Sequence, residues 1–278
     1  MPRDQLDRSV IRDVALIDAT GRDPEGRVDV LVEGGRIARI GDVGAVAADV
    51  PAIDGAGTTL LPGLTDAHVH FGLIGVKGDH GSDPWVMHVL DVSHFIEDAL
   101  QEGFTTVRDA GGLEPSWAQA VAEGRLRGPR ILPAGSPLSQ TGGHADTRQR
   151  HEEVHRAQTI SGLVAGMEVV DGIDEVMRAA REQLRRGATQ IKLMASGGVI
   201  SPTDPLHSLQ LSVAEIAAVV QVARDWGTYV MAHCHTTPSV ERALDAGVRS
   251  IEHGSILEPE TAARIAAEGA FMVPTLQT

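Results

Sequence analysis

Tyr229-Val-Met-Ala-His233-Cys234-His235, an amphipathic stretch over 237–246, and Arg249-Ser-Ile-Glu-His253 read in order as strand, helix and strand. Two apolar runs thus end in histidine with one helix between them, and a crossover of that kind lays its strands parallel. Working outward, the alternation recurs. Strands are expected at Leu60 to Ala67, Thr105 to Arg108, Arg130 to Pro133, Thr189 to Met194, Tyr229 to Ala232, Arg249 to Glu252 and Ala270 to Val273. Helices fall between them at Trp85 to Glu102, Ser116 to Glu123, Ile173 to Arg186, Val213 to Trp226, Thr237 to Ala246 and Pro259 to Glu268. Strand count alone fits an open doubly wound sheet or an incomplete barrel. The polar residues decide between them. They gather at the C-terminal ends of several strands, where TIM-type (β/α) barrels assemble their sites, and no Gly-x-Gly-x-x-Gly follows the first strand. The expectation is an α/β fold, a TIM-type (β/α) barrel over 61–278 that is C-terminally truncated, with strands 1 to 7 only.

Upstream, residues 1–60 read differently. Val14-Ala-Leu-Ile17, Val28-Asp-Val-Leu-Val32 and Arg36-Ile-Ala-Arg-Ile40 are short β-branched runs, and Gly34-Gly35 signals a hairpin. A small antiparallel, β-sandwich-like unit is expected there.

Composition narrows the function classes. With 42% apolar and 22% charged residues the chain is an ordinary globular one, and a formal charge of −14 argues against a nucleic-acid surface, which needs clustered Lys and Arg. The single cysteine, Cys234, rules out an intrachain disulfide, and the charged start carries no secretory core, so a cytoplasmic location is expected. No apolar run is long enough to span a membrane.

The chemistry lies in four places. In Leu61-Pro-Gly-Leu-Thr-Asp-Ala-His68-Val69-His70, strand alternation turns both imidazoles to one face, a donor pair suited to a borderline cation such as zinc. By the same alternation His233 and His235 face inward and Cys234 faces the helix layer, which makes it a poor nucleophile. His253, ending the next strand, joins them as a candidate ligand. Lys192, in Thr189-Gln-Ile-Lys192-Leu-Met, is flanked by apolar residues; an interior ammonium beside metal-binding imidazoles is electrostatically misplaced, so something must neutralise it, and ion pairing to Glu252 is one way.

These segments, together with Lys192-Leu-Met-Ala-Ser-Gly-Gly-Val and Ser250-Ile-Glu-His-Gly-Ser, resemble the metal-dependent amidohydrolase superfamily, in its Xaa-Pro dipeptidase and imidazolonepropionase-like branch. The resemblance implies a binuclear site with two divalent ions, zinc being the expected metal. His68 and His70 would hold one, His233 and His253 the other, and Lys192 would bridge them as a carbamate. It further implies a metal-bound hydroxide that attacks the amide carbonyl of a small amide or dipeptide. His144, in Gln140-Thr-Gly-Gly-His144-Ala-Asp146, and His235 are the implied substrate-binding residues. The family's proton-shuttling aspartate belongs at the end of an eighth strand. The 278 residues stop just past the seventh, at Val273-Pro-Thr-Leu-Gln-Thr278, so no catalytic residue is assigned within them.

Two other readings stand beside this one. One is a catalytically silent metal-binding barrel that self-associates through an unsealed edge; the other is a metal-free lyase or isomerase using its histidines as acids and bases. Ser196-Gly-Gly-Val-Ile-Ser-Pro-Thr-Asp204 lacks the Gly-Lys-Ser/Thr of a phosphate loop and reads as an active-site loop. Arg108 and Asp109 read as a structural pair, and His80, His88, His94, His151, His155 and His207 as solvated surface.

Overall fold

A computed structural model of the chain describes residues 8–21, 26–44, 49–73, 84–146, 148, 166–199 and 204–276. It divides into two compact units, Met1–Gly63 and Leu64–Thr278.

In the first unit Gly34 and Gly35 take φ of 57° and 70°, the left-handed pair a two-residue hairpin turn requires. They join β2 (Arg27–Glu33) to β3 (Arg36–Gly41), and β1 (Arg8–Leu16) lies antiparallel to β2. Two further strands, β4 (Ala52–Asp54) and β5 (Thr59–Leu60), add to β1 in parallel. The unit is therefore one mixed five-stranded sheet closed over Val10, Leu31, Val43 and Val50. This corrects the antiparallel expectation: β4 and β5 run parallel to β1 and are too short to carry a readable alternation.

The second unit is built from parallel βα units. β6 (Leu64–Val69), β7 (Phe104–Asp109) and β8 (Arg130–Pro133) form one sheet. β9 (Leu138–Ser139), β10 (Glu168–Val169), β11 (Ile191–Met194), β12 (Val230–Thr236), β13 (Ser250–Ile256) and β14 (Phe271–Val273) form a second, in the order β10-β9-β11-β12-β13-β14. The helices are α1 (Trp85–Gln101), α2 (Ser116–Ala122), α3 (Ile173–Arg186), α4 (Val213–Asp225), α5 (Thr237–Asp245) and α6 (Pro259–Ala267). None is long and apolar enough to cross a membrane.

Between the two sheets the Thr189 amide donates to the Pro133 carbonyl at 2.8 Å and Gln190 Nε2 to the Leu132 carbonyl at 3.0 Å. A closed barrel needs every strand paired on both sides. β6 and β14 each have a ladder on one side only, so the described strands form an α/β fold without a closed ring.

The pleat sorts the side chains of the larger sheet. Ile191, Leu193, Val230, Ala232, Cys234 and Ile251 pack outward against Ala179 and Leu184 of α3, Val219 and Ala223 of α4, and Val240 and Leu244 of α5. Burying a side chain of this size contributes about 1.5–3 kcal/mol, so this layer fixes the strands firmly. The alternate positions, among them Lys192, His233, His235 and Glu252, then have to face the interior, where all four are buried.

Candidate functional site

Six imidazoles meet in that interior. Ring centroids are 5.0 Å apart for His68 and His70, 5.0 Å for His68 and His253, 4.5 Å for His233 and His253, and 4.7 Å for His233 and His235. His235 stacks on His253 at 4.8 Å and His144 on His233 at 4.3 Å. Every histidine singled out from the sequence as ligand or substrate contact therefore falls in one cluster drawn from β6 and the residue that follows it, β12, β13 and the segment after β9.

His253 reaches the cluster by breaking the pleat. Glu252 and His253 are consecutive, yet both side chains meet the interior groups, and His253 accommodates this with a φ of 74°. A non-glycine residue seldom takes that conformation, and such strain concentrates at functional sites. Thr275 Oγ1, 2.6 Å from His253 Nδ1, steadies the ring.

The partners of His68 and His70 assign their tautomers. His70 Nδ1 lies 2.9 Å from the Gly111 carbonyl and His68 Nδ1 2.6 Å from Glu252 Oε2; a carbonyl and a carboxylate only accept, so both Nδ1 atoms carry hydrogen. The Nε2 atoms then face each other as bare lone pairs across 3.2 Å. Protonating either ring would relieve the clash. Burial opposes this in both, lowering the His68 pKa and bringing that of His70 to about 3, with the Lys192 ammonium adding repulsion. Lone pairs that converge and cannot take up a proton are a fit for a metal cation. His233 is arranged alike, its Nε2 donating to the Gly197 carbonyl at 3.1 Å and leaving Nδ1 as the free donor atom. The ligand atoms of His233, His235 and His253 all lie within 4.8 Å of one another.

Lys192 is fully buried and makes no hydrogen bond or salt bridge among the described residues. Burial brings its pKa down to about 8, and its charge in turn lowers the pKa of all six imidazoles. The Glu252 carboxylate proposed to neutralise it is engaged elsewhere. Arg108 Nη2 donates to its two oxygens at 2.9 and 3.1 Å, Ser250 Oγ at 2.7 Å and His68 at 2.6 Å.

Arg108 and Asp109 do not pair. Arg108 turns to Glu252, Ser250 and the Ala67 carbonyl, while Asp109 accepts from the amides of Phe71 at 3.0 Å and Gly111 at 2.9 Å. Neighbours on a strand point to opposite faces, so the expected pair is excluded by the rule that aligned the histidines. Burial raises the Asp109 pKa to about 7 against those amides, and it pushes the Cys234 thiol up, which disfavours the thiolate. His94 and His207 are exposed and His88 is half-buried on α1 beside Trp85; His80, His151 and His155 lie outside the described residues.

The sequence reading missed Asp204, Gln210, Ser196 and Thr275. Asp204 stood in view at the end of the glycine-rich loop, a carboxylate on a segment already assigned to the site. Residues 200–203 of that loop lie outside the described residues.

Known proteins are similar to this chain in sequence and in fold. Ochratoxinase of Aspergillus niger is 34% identical over 227 residues, covering 78% of this chain and 47% of its own, so the chain spans about half the length of that relative. A crystal structure of a prolidase complexed with N-methylphosphonate-L-proline is 40% identical with a TM-score of 0.92, over 98% of this chain and 67% of that one. A Xaa-Pro dipeptidase with methionine bound in its active site is 33% identical with a TM-score of 0.84, over 96% and 66%. The amidohydrolase family model matches residues 59–278. That span takes in every strand of the second unit and every imidazole of the cluster, and the chain belongs to the amidohydrolase family.

Proposed function

We propose that this chain carries the metal-binding part of a hydrolase that cleaves the amide bond of small substrates, with Xaa-Pro dipeptides and N-acyl amino acids as the substrate class. The observation that carries the reading is the pair of Nε2 lone pairs of His68 and His70 facing each other at 3.2 Å, each fixed by its Nδ1 partner. The likeness to a prolidase and to ochratoxinase supports the same bond type.

Two divalent ions, zinc best suiting imidazole donors, would be held by His68 and His70 on one side and by His233 and His253 on the other, with Lys192 between them as a carbamate. Carboxylation turns the misplaced ammonium into an anionic oxygen donor and removes the repulsion it exerts on the rings. When bound, such ions activate water and polarise a carbonyl. The chain's own residues do the orienting. Glu252 holds the His68 proton at Nδ1, Gly111 that of His70 and Gly197 that of His233. His144 and His235 then contact the substrate. In the family resemblance, proton transfer to the leaving amine belongs to an aspartate at the end of an eighth strand.

Metal analysis after purification in zinc-containing buffer tests the reading directly. Close to two ions per chain are expected, and fewer than one would end it. The clustering of the His235 ligand atom with those of His233 and His253 favours a second reading, in which His235 is a ligand rather than a substrate contact.

A further inference from the structure

His144 Nδ1 and Asp204 Oδ1 are buried and make no hydrogen bond, and they belong to neighbouring side chains: His144 Nδ1 stands 3.6 Å from Asp204 Oδ2. A buried polar atom left unpaired is costly, and here a ring nitrogen that could supply a proton stands beside a carboxylate with one oxygen unsatisfied. The surroundings hold both groups in place. Asp204 Oδ2 accepts from the Gly198 amide at 3.1 Å and from Gln210 Nε2 at 3.0 Å, while Gln210 Oε1 takes the His144 amide at 2.8 Å. Gln210 thus ties the backbone of one partner to the side chain of the other.

The imidazole itself is clamped on its faces. It stacks on His233 at 4.3 Å and 24°, and it passes so close to Gly198 that a Cβ there would meet its Cε1 at 1.9 Å. The ring so held turns Nδ1 toward the carboxylate, 3.6 Å from Oδ2.

We propose that Asp204 is a positioning residue acting through His144: its carboxylate takes the Nδ1 hydrogen, fixes that tautomer and keeps Nε2 for the substrate. The proposal rests on the reading of His144 as a substrate contact. Asp204→Ala removes the acceptor that stands beside Nδ1. The hydrogen is then expected on Nε2, where an unconstrained neutral imidazole carries it.

Nitrogen-15 NMR of the histidine rings, with the His144 resonances assigned by their loss in His144→Gln, reads this in the protein as purified. The wild type is expected to carry hydrogen on His144 Nδ1, and Asp204→Ala to carry it on Nε2 with unchanged metal content. KM for a Xaa-Pro dipeptide is expected to rise about tenfold or more in the variant, with a smaller change in kcat. Hydrogen on Nε2 in the wild type, or on Nδ1 in the variant, overturns the proposal whatever the activity. If the variant does not fold, the wild-type tautomer alone decides. The expected tautomers in a chain that hydrolyses no amide support the positioning and overturn the functional reading instead.

Discussion

His68 Nδ1 donates to Glu252 Oε2 at 2.6 Å, and Arg108 grips the same carboxylate from β7 at 2.9 and 3.1 Å. One buried anion on β13 therefore sets the orientation of a ring on β6 and supplies the carboxylate that pairs with Arg108. Glu252→Gln keeps the shape and removes the charge. Breaking a buried pair of this kind costs about 3–5 kcal/mol, and loss of a partner behind a metal-binding histidine lowers metal affinity about 10–100-fold. Thermal unfolding and a metal titration check the two effects separately; a variant that matches the wild type in both would remove Glu252 from the centre.

The two assignments of His235 part on metal content. His70→Ala is expected to lower the ions bound from close to two to close to one. His235→Ala leaves the count unchanged if the ring contacts substrate and lowers it if the ring is a ligand. Mass spectrometry of the native proteins distinguishes these outcomes.

Much of this centre is legible in the sequence because parallel strands announce themselves twice, by apolar runs and by what ends them. His68, His70, His233 and His235 follow from the period of two, and the helices from their apolar stripes. Other parts depend on backbone conformation or on partners distant in the chain. The φ of 74° that brings His253 beside Glu252 has no local signature, nor does the support from Thr275. β4 and β5 are too short to show alternation. Arg108 and Asp109 are instructive, since the pleat should have separated them at the outset.

Gly198→Ala tests the loop independently of any charge. Its Cβ would stand 1.9 Å from His144 Cε1, so the ring must leave its place on His233. Substrate binding is expected to weaken with metal content unchanged. A KM within twofold of the wild type, or a lost metal, would show that the loop does not act through His144.

The helix layer can be tested away from the site. Ser212 caps α4 in a reciprocal box, its Oγ accepting from the Glu215 amide at 3.3 Å while Glu215 Oε2 accepts from the Ser212 amide at 2.7 Å. Ser212→Ala is expected to cost about 1 kcal/mol of stability and to leave metal binding untouched, as urea unfolding and metal analysis of the same sample will show.

Lys192 is the most exacting case. Burial lowers its pKa to about 8, so at pH 7 about a tenth of it is the neutral amine that attacks carbon dioxide. Raising the pH to 9 makes the neutral form dominant, and the proton lost on carbamate formation is then taken up readily. At a fixed pressure of carbon dioxide both effects have the same sign: carbamate formation is expected to quicken and metal loading to improve as pH rises from 7 to 9. Chain incubated with carbon-13 bicarbonate and zinc should give one carbamate signal that Lys192→Met lacks, and that variant should bind fewer ions. Two ions bound to Lys192→Met, or no signal in the wild type, would leave the ammonium to be neutralised in some other way. It would then stand as a buried cation among six imidazoles, an arrangement that burial and mutual repulsion both oppose.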